Sequence, residues 1–278
     1  MKLSVAARSF DKLTCADAYN LTTTFLGQWD IFDDSKRDGL TIERRILATS
    51  PDITMPARKT LAVDGGQWLV GSSHMDYFRS AAIRIKHVLQ QTEGLASIKT
   101  FAEAIAVSTG LQAYAGRSWV KESREEAISS DMLAVYQVFF AEGEAVTAGN
   151  LIFLKDRWHL IRAMYTSMGG FLVALSDELP EPVQVSVTFK RRVYVPLTDA
   201  YTETTSTVNA LRIHWQSHYS YSQEAVDPYA AGDVVLMVRK ADVPVVKASD
   251  KVTLSGSSYT VASVRDESTC WGLRICRG

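Results

Sequence analysis

Short runs of alternating apolar and polar residues recur along the chain, and three of them share one layout. Lys59 to Val70, Gly149 to Ile161 and Asp250 to Val261 each hold a short apolar run, a polar turn, and a run opening on an aromatic residue. Alternation with period two is the signature of a half-buried strand, so each segment reads as a β-hairpin. The aromatics are Trp68, Trp158 and Tyr259, spaced 90 and 101 residues apart. Since they open an inner strand, they are expected to form a repeated core position. Asp64-Gly65-Gly66 and Ser255-Gly256 supply residues that tolerate positive φ, as tight hairpin turns require. Lys155-Asp156-Arg157 lacks a glycine, which predicts a different turn type in the middle copy.

The surroundings repeat as well. A further apolar run follows each hairpin at Ala81 to Leu89, Gly170 to Leu175 and Trp271 to Cys276. Another precedes each at Thr41 to Leu47, Leu133 to Phe140 and Ala210 to Trp215. Gln90 to Gly94 and the proline-containing Glu178 to Pro182 are the natural breaks. The expected organisation is mainly β, with three successive small barrel- or sandwich-like units at 1–95, 96–182 and 183–278. The third unit carries a long insertion at 217–247 with a strand of its own, Asp233 to Arg239. Helix is minor: Ile98, Phe101, Ala102, Ile105 and Ala106 predict one over Ser97 to Thr109, N-capped by Ser97, and Ser4 to Tyr19 is a second, short candidate.

Composition narrows the function classes. The 278 residues carry a formal net charge of −1. Cationic and acidic side chains number 12 and 11 in the first unit, 7 and 11 in the second, and 11 and 9 in the third. No unit has the basic excess of a domain that coats nucleic acid. The start, Met1 to Tyr19, has no apolar stretch of the secretory kind, and no apolar run approaches the ~20 residues of a membrane span. A cytoplasmic site of synthesis and no membrane partner are expected. Cys15, Cys270 and Cys276 do not make a disulfide framework, because the latter two lie along one strand about 20 Å apart.

Candidate chemistry dissolves on inspection. His214 and His218 have a helical metal-ligand spacing, but Leu211, Ile213 and Trp215 alternate with Arg212, His214 and Gln216, which makes a strand. On a strand the two rings stand about 13 Å apart, too far for one ion. His74, His87 and His159 are scattered and read as structural. The acidic stretch from Asp30 to Asp38 is interrupted by Lys36 and Arg37, as in a solvated loop. Lys190-Arg191-Arg192 sits inside a strand pattern, where charges protect a sheet edge. Nucleophile elbows and phosphate loops are missing from the sequence. No catalytic residue, metal ligand or cofactor site is expected, and a structural rather than enzymatic role follows.

The third copy brings a family into view. Gly232 to Arg239, Ala241-Asp-Val-Pro, and Lys247 to Glu267 resemble tailed-bacteriophage head-closure proteins, also called stoppers or head–tail joining proteins. The likeness covers residues 232–278. It implies a small β-barrel with a long loop, assembled as a homo-oligomeric ring beneath the portal or its adaptor. Tail proteins lie on the far side, packaged DNA passes with non-specific contact, and the location is the virion, assembled in the host cytoplasm. Family members are shorter than this chain, and three copies in one chain is a departure. Tyr219, Tyr221 and Tyr229 in the long loop are candidate assembly contacts, since aromatics are enriched at interface cores. The alternatives are a tail or baseplate protein, or a carbohydrate-binding array of β-units.

Overall fold

The computed structural model describes residues 12–30, 44–106, 111, 116–124, 136–179, 181–213, 233–267 and 269–277. Among the described residues, eighteen strands close into three successive six-stranded barrels. The first comprises β1 (Leu13–Asp17), β2 (Thr24–Asp30), β3 (Arg44–Thr49), β4 (Thr60–Val63), β5 (Gly66–Phe78) and β6 (Ala81–Gln91). The second comprises β7 (Gly94–Lys99), then helix α1 (Phe101–Ile105), β8 (Gly116–Arg124), β9 (Tyr136–Phe140), β10 (Leu151–Leu154), β11 (Arg157–Thr166) and β12 (Leu172–Leu179). The third comprises β13 (Val183–Val195), β14 (Ala200–Ile213), β15 (Val234–Arg239), β16 (Lys251–Leu254), β17 (Ser257–Asp266) and β18 (Cys270–Arg277).

All three barrels have one topology. Strands one to three form an antiparallel meander, four to six form another, and closure pairs the third with the sixth and the first with the fourth. Full closure removes the open edges that make β-units aggregate. The mainly-β class with three barrels and minor helix is therefore what the alternating runs specified. The first sheet ends at Gln91 and the second begins at Gly94, so Gly94 and Leu95 belong to the second barrel rather than the first.

The hairpins at the heart of the repeat are β4–β5, β10–β11 and β16–β17, each with a two-residue turn. Their central residues all have positive φ: 50° and 74° at Asp64-Gly65, 50° and 62° at Lys155-Asp156, and 50° and 79° at Ser255-Gly256. The middle turn is thus of the same kind as the others, contrary to the sequence expectation. The right-handed twist of the flanking strands demands a primed turn, and that demand overrides the missing glycine. Asp156 holds a left-handed conformation that costs an L-residue free energy. Asp156→Gly should raise stability by about 0.5–1 kcal/mol, read as a higher denaturation midpoint at unchanged m-value.

A second shared device follows each hairpin. A β-bulge interrupts the fifth–sixth strand pairing after Val70, Ile161 and Val261, which occupy matching positions. Bulges bend a strand and raise its twist, which helps six short strands close.

Two elements differ from expectation. The region of Ser97 to Thr109 begins as strand, with Ser97 inside β7. The helix is one short turn, and its N-cap is Thr100. There Thr100 and Glu103 form a reciprocal capping box, a T-x-x-E signal that the apolar spacing obscured. Leu13 to Asp17, placed in the other candidate helix, is β1. Its strand pairing with β2 and β4 outweighs helical preference.

The apparent insertion at 217–247 also resolves differently. Ala210 to Ile213 closes the second strand of the third barrel, and Val234–Arg239 is its third strand, the counterpart of β3 and β9. What is long is the connection between second and third strands, residues 214–233. His214, His218, Tyr219, Tyr221 and Tyr229 fall there and lie outside the described residues.

Candidate functional surfaces: barrel interiors, joints and projecting hairpins

Each barrel interior is filled by its own apolar cluster. Leu47, Leu61, Trp68 and Leu89 belong to the first, Val138, Phe140, Ile152 and Ile161 to the second, and Val187, Leu236, Tyr259 and Ile275 to the third. Trp68 and Tyr259 are buried at the third residue beyond their turns. Trp158 is buried too, but at the second residue beyond its turn, and it joins a different cluster. The three aromatics therefore do not mark one repeated core site. One residue of shift along a strand moves a side chain to the opposite face. His159 holds the interior position matching Trp68 and Tyr259.

Two interior histidines went unrecognised in the sequence as buried groups. His87 is 2% exposed, with Nε2 3.0 Å from Thr49 Oγ1 and Nδ1 2.7 Å from Ser73 Oγ. A neutral imidazole offers one donor and one acceptor, which two hydroxyls satisfy. Burial, aided by the charge of Lys59, pushes the His87 pKa down to about 4. His159 is 1% exposed and packs edge-on against Tyr136, with ring centroids 5.0 Å apart. Neither of its ring nitrogens has a hydrogen-bond partner among the described residues. Burial lowers its pKa as well, against the opposing pull of Glu122 and Glu178. Among the described residues the polar contacts of His87 are the Thr49 and Ser73 hydroxyls, and neither ring forms a hydrogen bond or ion pair with a carboxylate.

Two of the three thiols are buried as well. Cys15 and Cys270 are buried and unpaired, and burial pushes their pKa values up to about 11 and about 12. Among the described residues no group of three His, Cys, Asp or Glu side chains is placed to hold a metal ion. Nor is any helix there long and apolar enough to cross a membrane.

The built polar site lies where the first barrel meets the second. Glu144, its side chain 2% exposed, accepts hydrogen bonds from Tyr19 Oη at 2.7 Å, Ser118 Oγ at 2.6 Å, and Arg58 Nη2 at 2.7 Å. Arg58 Nη2 also donates to the Arg117 carbonyl at 2.6 Å, and the guanidinium stacks 3.6 Å above the Tyr19 ring centroid. The backbone N–H of Trp119 donates to Tyr19 Oη at 2.9 Å. Burial and the hydrogen bond to Glu144 raise the Tyr19 pKa to about 12, so the phenol stays protonated. Both Glu144 carboxylate oxygens accept hydrogen bonds from groups on the two barrels, which makes this cluster a latch between them.

Apolar contacts complete the joint. Leu69 and Val88 from the first barrel meet Phe139, Phe171 and Val173 from the second. The backbones also touch: the Ser72 N–H donates to the Gly169 carbonyl at 2.6 Å. A methyl group on Gly71 would stand 2.1 Å from that carbonyl oxygen. Gly71→Ala should therefore spring the joint, at about 1–3 kcal/mol for overpacking. Limited proteolysis between Gln91 and Gly94 would read the loosening.

The second joint reuses the plan with different residues. Trp158 and Leu160 on β11, with Phe101 and Ile105 on α1, pack against Leu211, Met237 and Cys270 of the third barrel. Gln184 Nε2 donates to the Ala104 carbonyl at 2.6 Å, tying the helix end to β13. Arg162 pairs with Asp177 and lies 4.0 Å from Glu267 across the joint.

Two hairpins project from the barrels. β13 and β14 pair from Val183↔Arg212 out to Val195↔Ala200, yet β16 stops at Lys190 and β15 at Ala210. Arg191 and Arg192 thus lie on a two-stranded arm with open edges. Tyr194 and Tyr201 pair on it at 5.4 Å, and Leu197 at its tip is 97% exposed. The β5–β6 hairpin likewise outruns its neighbours and exposes Tyr77 and Ile83. At its base Asp30, from the acidic stretch, and Asp76 pair with Arg84 and Lys86. The other residues of that stretch lie outside the described residues.

Comparison of the chain with protein-family models, with curated proteins and with solved structures found no match in any of the three.

Proposed function

We propose that the chain is a structural virion protein of a tailed-phage neck, a head–tail connector that assembles as a ring around the DNA channel. The observation that carries this is the third unit. The run resembling head-closure proteins, 232–278, supplies β15 to β18, four of the six strands of a closed barrel that also bears a projecting arm. A barrel with long excursions is what that resemblance implies. The built polar network latches units together instead of presenting reactive groups, which suits a load-bearing part and no enzymatic role. A net charge of −1 suits a channel wall along which DNA must slide, where a basic sleeve would grip.

The test is negative-stain microscopy of the purified chain alone and with portal–adaptor complexes. Rings coaxial with the portal channel are the expected result. A chain that binds neither portal, adaptor nor tail components would end the proposal.

One observation favours a second reading, a tail or baseplate module that binds carbohydrate. The Tyr194–Tyr201 pair is exposed and offers two ring faces, whereas Trp68, Trp158 and Tyr259 are buried. Glycan-array binding lost in Tyr201→Ala, with folding intact, would support it over the first.

A further inference from the structure

Two joints hold the three barrels in a row, and both follow one scheme. In each, the turn between the fifth and sixth strands of the later unit rests on the earlier unit. Gly169 and Gly170 sit on Gly71 and Ser72 in the first joint. Thr269 sits on Gly149, and Glu267 faces Arg162, in the second. In each, the connection between the first and second strands of the earlier unit reaches forward. Tyr19 touches Glu144 and Trp119, and α1 packs on β13 and β14. A head-to-tail contact of this kind always leaves one unused half at each end of the row.

Those unused halves are the two projecting hairpins. The forward-reaching element of the third unit is the β13–β14 arm, with strands of 13 and 14 residues against 5 and 7 in β1 and β2. The backward-reaching turn of the first unit is the tip of β5–β6, with strands of 13 and 11 residues against 10 and 8 in each of the other units. Each is the longest version of its element, and each exposes apolar side chains: Leu197 and Tyr201 on one, Tyr77 and Ile83 on the other. An isolated two-stranded ribbon is marginal in water, so a covering partner is called for.

We infer that the arm of one copy and the first-unit hairpin of the next form a joint between chains, continuing the scheme that links units within a chain. The occupant of each surface is a second copy of this protein. The inference gives the ring of the proposed neck role its contact surfaces, and rests on that role only for its biological setting. The end faces differ from the inner joints in one respect. The position matching Leu69 and Leu160 is Thr260, which pairs with Lys251 and so neighbours Lys190. The position matching Phe139 and Met237 is Ala48, beside Lys86 and its ion-pair cluster. At these positions the inner joints are apolar, whereas the joint between chains is polar there, and so separable and sensitive to salt. If the rotation per copy closes, the product is a ring, and otherwise a filament.

Sedimentation velocity on the full chain tests this. Species at multiples of 30.8 kDa are expected, dissociating as salt rises from about 50 mM to about 0.5 M. Replacing residues 191–204 by Asn-Gly joins Lys190 directly to its partner Thr205 and should leave a single-chain mass. Independently, the scheme brings together Ser80, in the β5–β6 turn, and Ala262, which follows Val261 as Gly71 follows Val70. Ser80→Cys with Ala262→Cys, in a Cys276→Ser background, should therefore give intermolecular disulfides on oxidation that neither single variant forms. A single-chain mass at every concentration would overturn the inference. Oligomers that ignore the arm and never cross-link through this cysteine pair would overturn it equally. Because these measurements use the protein alone, failure of the neck role appears separately, as an oligomer indifferent to portal and adaptor.

Discussion

Replacing Glu144 by alanine should cost the chain about 3 kcal/mol and loosen the first barrel from the second. The carboxylate is buried and accepts from three side chains on two barrels. Its removal leaves the Tyr19 and Ser118 hydroxyls without their acceptor, at about 1–3 kcal/mol for a buried unmet group. Breaking a buried ion pair by deleting one partner costs about 3–5 kcal/mol. Here the lower end applies, because Arg58 keeps 39% of its side chain in solvent and regains water. Glu144→Gln keeps an acceptor oxygen of the same reach and should cost less. Denaturant unfolding of both variants, with Arg58→Ala and the double mutant to close the cycle, would apportion the latch. A loss below about 1 kcal/mol for Glu144→Ala would mean that apolar packing holds the joint without it.

Acid should weaken the protein between pH 6.5 and pH 4, with His87 as the main cause. Its folded-state pKa lies near 4, against 6.5 for an exposed histidine. In that window the unfolded chain takes up a proton that the folded chain refuses, so stability falls as pH falls. The full loss approaches about 3 kcal/mol at 1.36 kcal/mol per pKa unit. His159, shifted the same way by burial, adds to it. His87→Gln retains a donor and an acceptor for Thr49 and Ser73 while removing the titration. Its stability should be nearly flat across that pH range, apart from the share of His159. Equal pH slopes for the two proteins would assign the acid loss to other groups.

The barrels differ in how openly the sequence declares them. In the third, β16–β17 alternates and turns on a glycine, so strand, turn and inner face can all be read. In the first, β4–β5 also turns on a glycine, but Trp68, Leu69 and Val70 are all buried, so only strand and turn are plain. In the second, Trp158, His159, Leu160 and Ile161 are all buried, because one face fills the barrel and the other fills the joint. A run buried on both sides has no alternation, so Trp158 reads as the counterpart of Trp68 and Tyr259. The two-residue turn would have corrected it, since counting from Lys155-Asp156 places His159 inside. The Arg58–Glu144 latch carried no signal at all: its residues are up to 125 positions apart, and each looks like an ordinary surface charge or hydroxyl.

The sequence by itself determined most local elements: strands with period two, primed two-residue turns where a glycine stands, and a hairpin recurring three times. These depend on steric and hydrogen-bonding rules that act over a few residues. Tertiary structure alone decided which strands close each barrel, which face of β11 is interior, and that Val234–Arg239 is an integral third strand. It also decided where barrels touch and which two hairpins are left over at the ends. Those outcomes depend on pairing between segments far apart in the chain, where a shift of one residue exchanges inside for outside.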